Sequence, residues 1–157
     1  MKAATAKEIK EELKTRSSHE LLELCLRLSR FKKENKELLT YLLFESTDEE
    51  TYIESVKREI DEQFKNVNRK SYYYIKKSVR KILSLTKKYI RYSQNKQTEV
   101  ELLIYFCLKL KGFTPSIKYN SALRNIYDRQ IEAIKKVLLT MHEDLQFDYE
   151  EEVKKLL

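Results

Sequence analysis

Seven cations, Lys76, Lys77, Arg80, Lys81, Lys87, Lys88 and Arg91, recur at helical spacing in one stretch of this 157-residue sequence, and Tyr73 falls among them. A row of ammonium and guanidinium groups suits one kind of chemistry, the holding of phosphate or carboxylate oxygens. An aromatic ring in the row adds a face on which an unpaired base can stack. The surrounding segment, residues 65–96, holds eleven basic residues and no Asp or Glu. The whole chain nets +7, yet outside that segment 21 basic residues stand against 25 acidic ones, so the positive excess is local.

Other chemistry is thinly represented. His19 and His142 are each followed by a Glu, but neither has a second His four residues on, and no Glu-x-x-His occurs, so a helical metal site has no ligand set. A single glycine rules out a Gly-rich phosphate loop, and no nucleophile elbow is present. Cys25 and Cys107 sit in apolar helical patterns and read as reduced core thiols. No catalytic residue, metal, cofactor or small-molecule substrate is expected, and the chain is not expected to be an enzyme.

The elements that must position the basic row follow from composition. One Gly, one Pro and 36% charged residues point to long helices joined by short turns. A chain of this length folds as one domain and buries about 70% of its unfolded surface. The expectation is an all-α domain over residues 1–157, with six to eight helices in successive antiparallel hairpins, as an irregular bundle or a short superhelical stack. Its last part, 146–157, forms a short acidic helix, capped by Asp148 with Glu151, or a frayed end. The longest apolar run, residues 102–108, falls far short of the roughly 20 residues that cross a bilayer, and the opening residues lack a signal or transit pattern. The cytoplasm is the expected compartment.

Along the chain, Thr5 with Glu8 and Ser17 with Glu20 make capping boxes, in which the hydroxyl takes an exposed amide and the carboxylate reaches back. The helix after Ser17 carries Leu21, Leu22, Cys25, Leu28 and Phe31 at core spacing, and Asn35 is placed to cap the next one. Thr47 with Glu50 reads as a third box, opening a helix that buries Tyr52, Ile53, Val56, Ile60 and Phe64. The basic helix follows over about 71–93. At 100° per residue Ile75, Val79, Ile82, Thr86, Tyr89 and Ser93 form its inward seam, with Tyr72, Leu83 and Ile90 at the margins. The seven cations and Tyr73 lie opposite, with Tyr74 and Tyr92 along one border. Thr98 with Glu101 reads as a fourth box, before a helix apolar nearly all round that belongs at the centre of the domain and ends at Gly112 as a left-handed residue. Thr114 and Pro115 suit a cap and first helical position. A long helix over about 120–143 then presents Leu123, Tyr127, Ile131, Ile134, Leu138, Met141 and Leu145 on one face.

The run over residues 7–42, KEIKEELKTRSSHELLELCLRLSRFKKENKELLTYL, followed by the acidic Asp48, Glu49 and Glu50, resembles a family of small uncharacterised bacterial proteins. Its members share a short Lys/Glu helix, a Ser-started Leu-rich helix and a Lys/Asn turn. The resemblance covers roughly the first fifty residues; it implies an all-helical domain of unknown function and supplies no site residue.

Two functional classes use a basic helix about 33 Å long, at 1.5 Å per residue. As a plain solvated surface it would be partly neutralised by Glu50, Glu54, Asp61 and Glu62, or by the acidic residues at 148–152. The expected role is a helical interaction domain, protein–protein or scaffold, whose basic face holds an acidic protein partner or a second copy. The alternative is binding of single-stranded RNA or DNA through the 76–91 face, with Tyr73 or Tyr92 stacking on bases.

Overall fold

Thr5 and Ser17 start the first two helices as their side chains dictate. Each accepts from the amide three residues on, while Glu8 and Glu20 reach back to the cap backbone. In the computed structural model, which describes residues 1–157, eight α-helices follow one another without a strand. The chain resolves into two units, Met1–Phe44 and Glu45–Leu157.

The first unit holds α1 (Ala6–Lys14), α2 (Ser18–Phe31) and α3 (Lys33–Thr40), with a π-helical turn, Tyr41–Glu45, running out of it. Asn35 does not cap α3; its Nδ2 donates 2.8 Å to the Leu28 carbonyl and so ties α3 back to the end of α2. The Leu-rich stripe of α2 was expected in a core. Instead Leu22, Cys25, Leu28 and Phe31 are exposed, and among residues 1–44 only Tyr41 is buried. Helices of nine, fourteen and eight residues have too few turns to enclose an apolar face among themselves. α2 packs on α3, while α1 and α2 diverge around an open cleft of about 690 Å³ lined by Ile9, Leu13 and Leu24.

In the second unit the stripe of α4 (Glu49–Lys65) is buried as the spacing predicts, through Tyr52, Ile53, Val56, Ile60 and Phe64. Its cap is Asp48, whose carboxylate accepts from the Thr51 amide, rather than Thr47. α5 (Tyr72–Ser93) turns Ile75, Val79, Ile82, Thr86, Ile90 and Tyr92 inward, with Tyr89 and Ser93 half-buried. α5 ends at Gln94 in the left-handed region, φ 56°. The two-residue turn that follows lets Asn95, not Thr98, cap α6 (Lys96–Lys111). That puts Thr98 inside the helix, where it is fully buried and donates 2.6 Å to Glu49 Oε1; Ser93 donates to the same oxygen.

These bonds give the topology. The first turn of α4 meets the last of α5 and the first of α6, so α5 runs antiparallel to α4 and α6 runs parallel to it. Tyr105 and Lys109 of α6 continue the register by meeting Asp61 of α4. α6 buries Val100, Leu102, Leu103, Ile104, Phe106, Cys107 and Leu110 and packs against α4, α5, α7 and α8, the central position its all-round apolar profile requires.

The return from α6 departs from expectation. Gly112 ends the helix at φ −83°, so its freedom to turn left is unused. The Thr114–Pro115 peptide is cis, and the pair does not open a helix. A 3₁₀ turn, Ile117–Tyr119, capped by Ser116, precedes α7 (Ser121–Leu138), which Asn120 caps. The 120–143 segment is not one helix. His142 Nδ1 accepts from the Asp144 amide at 3.2 Å and starts α8 (Glu143–Leu156) well before Asp148, so His142 is an N-cap rather than part of a helix running to 143. Tyr149 Oη donates to Glu101, and Tyr127 Oη to the Leu156 carbonyl, which fastens α8 to α6 and α7.

Candidate functional site on the basic face of α5

Burying one side of α5 forces the cations to the other. Lys77, Arg80, Lys81, Lys87 and Arg91 are exposed, and Lys76 and Lys88 half-buried. Their helical angles sort them into two rows about 90° apart: Lys76, Arg80, Lys87 and Arg91 in one, and Lys77, Lys81 and Lys88 in the other. From Lys76 to Arg91 the rows run about 22 Å along the axis. Tyr73 projects between them one turn earlier and is 63% exposed.

The neutralisation expected of a plain solvated surface is not what the fold builds. Asp61 is taken by Lys109 and Tyr105, Glu62 by Lys65, Glu54 by Lys57, and Glu59 by the Tyr89 hydroxyl. Glu150 and Glu151 pair with Lys154 on their own helix. Lys76, Lys77, Arg80, Lys81, Lys87 and Arg91 enter no ion pair. Lys88 lies 5.0 Å from the Tyr89 ring centroid, a cation–π contact.

Electrostatics elsewhere in the second unit are committed to structure. Burial works to raise the Asp61 carboxyl, but hydrogen bonds from Lys109 and Tyr105 outweigh it and hold it below its ordinary value. The bond to Asp61 holds the Lys109 ammonium above its ordinary value. Burial pushes the Cys107 thiol up to about 12, which leaves it without thiolate character. Cys25, expected in a core, is exposed.

Tyr92 does not join the site. Its place near the border of the wheel suggested an exposed ring, but it is 9% exposed and packs edge-on against Tyr89 at 5.9 Å, because α5 ends in contact with α4 and the turn into α6. Two features that the basic row alone did not single out take its place. Tyr74, 44% exposed, stands edge-on to Tyr73 with ring centroids 5.3 Å apart. The second is the segment after α6. Arg69 donates 2.7 Å to the Thr114 carbonyl and lies 4.3 Å from the Phe113 ring, and Tyr72 Oη donates 3.0 Å to the Ser116 carbonyl. Those contacts tie the 113–116 segment to the start of α5, and exposed Lys118 and Tyr119 follow it directly in the chain. The available signal was a second stretch without acid: residues 102–127 contain Lys109, Lys111, Lys118 and Arg124 and no Asp or Glu.

No family model, curated protein or solved structure matches the chain.

Proposed function

We propose that this chain is a helical binding domain whose α5 face takes the phosphates of a nucleic acid. The observation that carries the reading is the set of six α5 cations without a carboxylate partner in a chain that holds 25 acidic residues. A row of one sign, kept free of its own neighbours, suits a polymer with a charge on every unit. The Tyr73 ring between the rows supplies an apolar contact that a purely electrostatic surface would lack. The role is binding rather than catalysis, since the face offers ammonium, guanidinium and phenol groups and no nucleophile paired with a base.

The test is fluorescence anisotropy with labelled single-stranded RNA and with duplex DNA. Six phosphate contacts give a logarithmic salt slope of about −4 on a single strand, so affinity falls about 300-fold between roughly 50 and 200 mM salt. The combined variant Lys77→Gln, Arg80→Gln, Lys81→Gln and Lys87→Gln flattens that slope toward −1.5, or about eightfold over the same interval. Binding that ignores salt, or survives the four substitutions, would count against the reading.

A protein partner is the second reading, and its support lies in the first unit rather than on α5. Leu28, Phe31, Leu42, Leu43 and Phe44 are 55–76% exposed, an apolar load of the kind that marks protein contact surfaces. Sedimentation at rising concentration checks the case of a second copy, which a constant monomer mass would remove.

A further inference from the structure

Eight of the eleven tyrosines are accounted for by the fold. Tyr52, Tyr72, Tyr89, Tyr105, Tyr127 and Tyr149 each place the hydroxyl on a named carbonyl or carboxylate, and Tyr41 and Tyr92 are buried. The other three, Tyr73, Tyr74 and Tyr119, are 63%, 44% and 83% exposed. Tyr73 and Tyr74 are adjacent on α5, and Tyr119 follows three residues after Ser116, whose carbonyl accepts from Tyr72. Arg69, bonded to the Thr114 carbonyl and set against Phe113, holds the two segments together.

The geometry points to a stacking platform: Tyr73, Tyr74 and Tyr119, with Lys70 and Lys118 beside them, take the unpaired bases of a single-stranded nucleic acid whose phosphates run on along the α5 cations. This rests on the reading of α5 as a nucleic-acid surface and narrows it to one strand class. A duplex keeps its base faces stacked inside and can offer these rings only its backbone, whereas an unpaired strand can lay a base on each. The surroundings favour such a strand, since neither 65–96 nor 102–127 contains an acidic residue to repel its phosphates. Tyr73 also projects between the two cation rows, so a strand reaching its ring has phosphate partners one turn further on, at Lys76, Lys77 and Arg80.

The probe is a labelled oligouridine of about 16 nucleotides beside an RNA duplex of the same length. It is read against the wild type, the triple variant Tyr73→Ala, Tyr74→Ala and Tyr119→Ala, and the matching triple change to Phe. Each stacked base is worth about tenfold in affinity, so loss of two or three costs the alanine variant about 100-fold or more on the single strand. Its duplex binding and salt slope stay as in the wild type, and the phenylalanine variant, which keeps the rings, stays within about threefold. Tyr119→Ala alone, outside any long helix, loses about tenfold and guards against a misfolded triple variant. If the alanine variant holds oligouridine as well as the wild type while the four Lys/Arg→Gln changes abolish binding, the platform is overturned and the basic surface stands. If the wild type binds neither probe, both fall, and a protein ligand for the exposed rings becomes the explanation to pursue.

Discussion

Asp61→Asn measures what locks α4 to α6. In the native chain Tyr105 Oη lies 2.7 and 2.8 Å from the two Asp61 oxygens, and Lys109 Nζ lies 2.7 Å from one of them. The Lys109 and Asp61 side chains are 40% and 30% exposed, so solvent screens the pair and limits it to about 0.5–1 kcal/mol. The phenol bonds an ionised acceptor, stronger than the bond an amide oxygen would accept by about another 0.5–1 kcal/mol. The substitution therefore costs about 1–2 kcal/mol, which lowers Tm by about 3–6 °C in a chain of this size. The pH dependence has a definite sign. Asp61 is held below its ordinary value, so its contribution is complete above about pH 4 and is lost as pH falls through the folded value. Lys109 is held above its ordinary value, so its share is complete below about pH 10 and is lost only as pH rises through the folded value. Thermal melts followed by far-UV circular dichroism should show a gap between wild type and variant that is flat from about pH 6 to 9 and closes toward pH 3. A gap below about 1 °C at neutral pH, or one that persists undiminished in acid, would refute the clamp.

The two thiols should separate cleanly under a disulfide-exchange reagent at neutral pH. Exposed Cys25 reacts in the folded chain, while Cys107, buried and with its pKa pushed up to about 12, reacts only after denaturation, so two fast thiols in the native state would contradict the α6 packing. Gln94 closes α5 at φ 56°, where a side chain is strained and glycine is not. Gln94→Gly is accordingly expected to raise stability by about 0.5–1 kcal/mol in a urea titration, and a lowered midpoint would show that the side chain has a role the backbone does not reveal.

Helix positions and inward faces were readable where a single helix decides them. The buried stripes of α4 and α6 follow from three- and four-residue spacing, because a helix buried on one side or all round needs no knowledge of its partner to declare its apolar face. Caps were readable only where the competing residue was weak. Thr5 and Ser17 have no Asp or Asn beside them, whereas Thr47 loses to Asp48 and Thr98 to Asn95, each rival an Asx residue with a freer carbonyl or carboxylate oxygen. The exposure of the α2 stripe could not be read at all. Spacing shows that Leu22, Leu28 and Phe31 share a helix with apolar periodicity, but burial also requires enough neighbouring surface, and three short helices do not supply it.

The basic face was legible for a related reason. Its cations depend on one helix and one buried seam, so a wheel places them. What a wheel cannot place is the carboxylates of other helices, and the difference between a neutralised surface and an available one lies there. Asp61, Glu59 and Glu62 are close to α5 in sequence, yet the parallel run of α4 beside α6 gives Asp61 to Lys109 and Tyr105, Glu59 accepts from the Tyr89 hydroxyl, and Glu62 pairs with Lys65 on its own helix. The same topology brings the acid-free 102–127 segment to the start of α5 through Arg69 and Tyr72, residues whose contacts span more than forty positions. A local pattern therefore supplies the row of charge, while pairings far apart in the chain leave Lys76, Lys77, Arg80, Lys81, Lys87 and Arg91 outside any ion pair and tie the 114–116 segment to the residues that open α5.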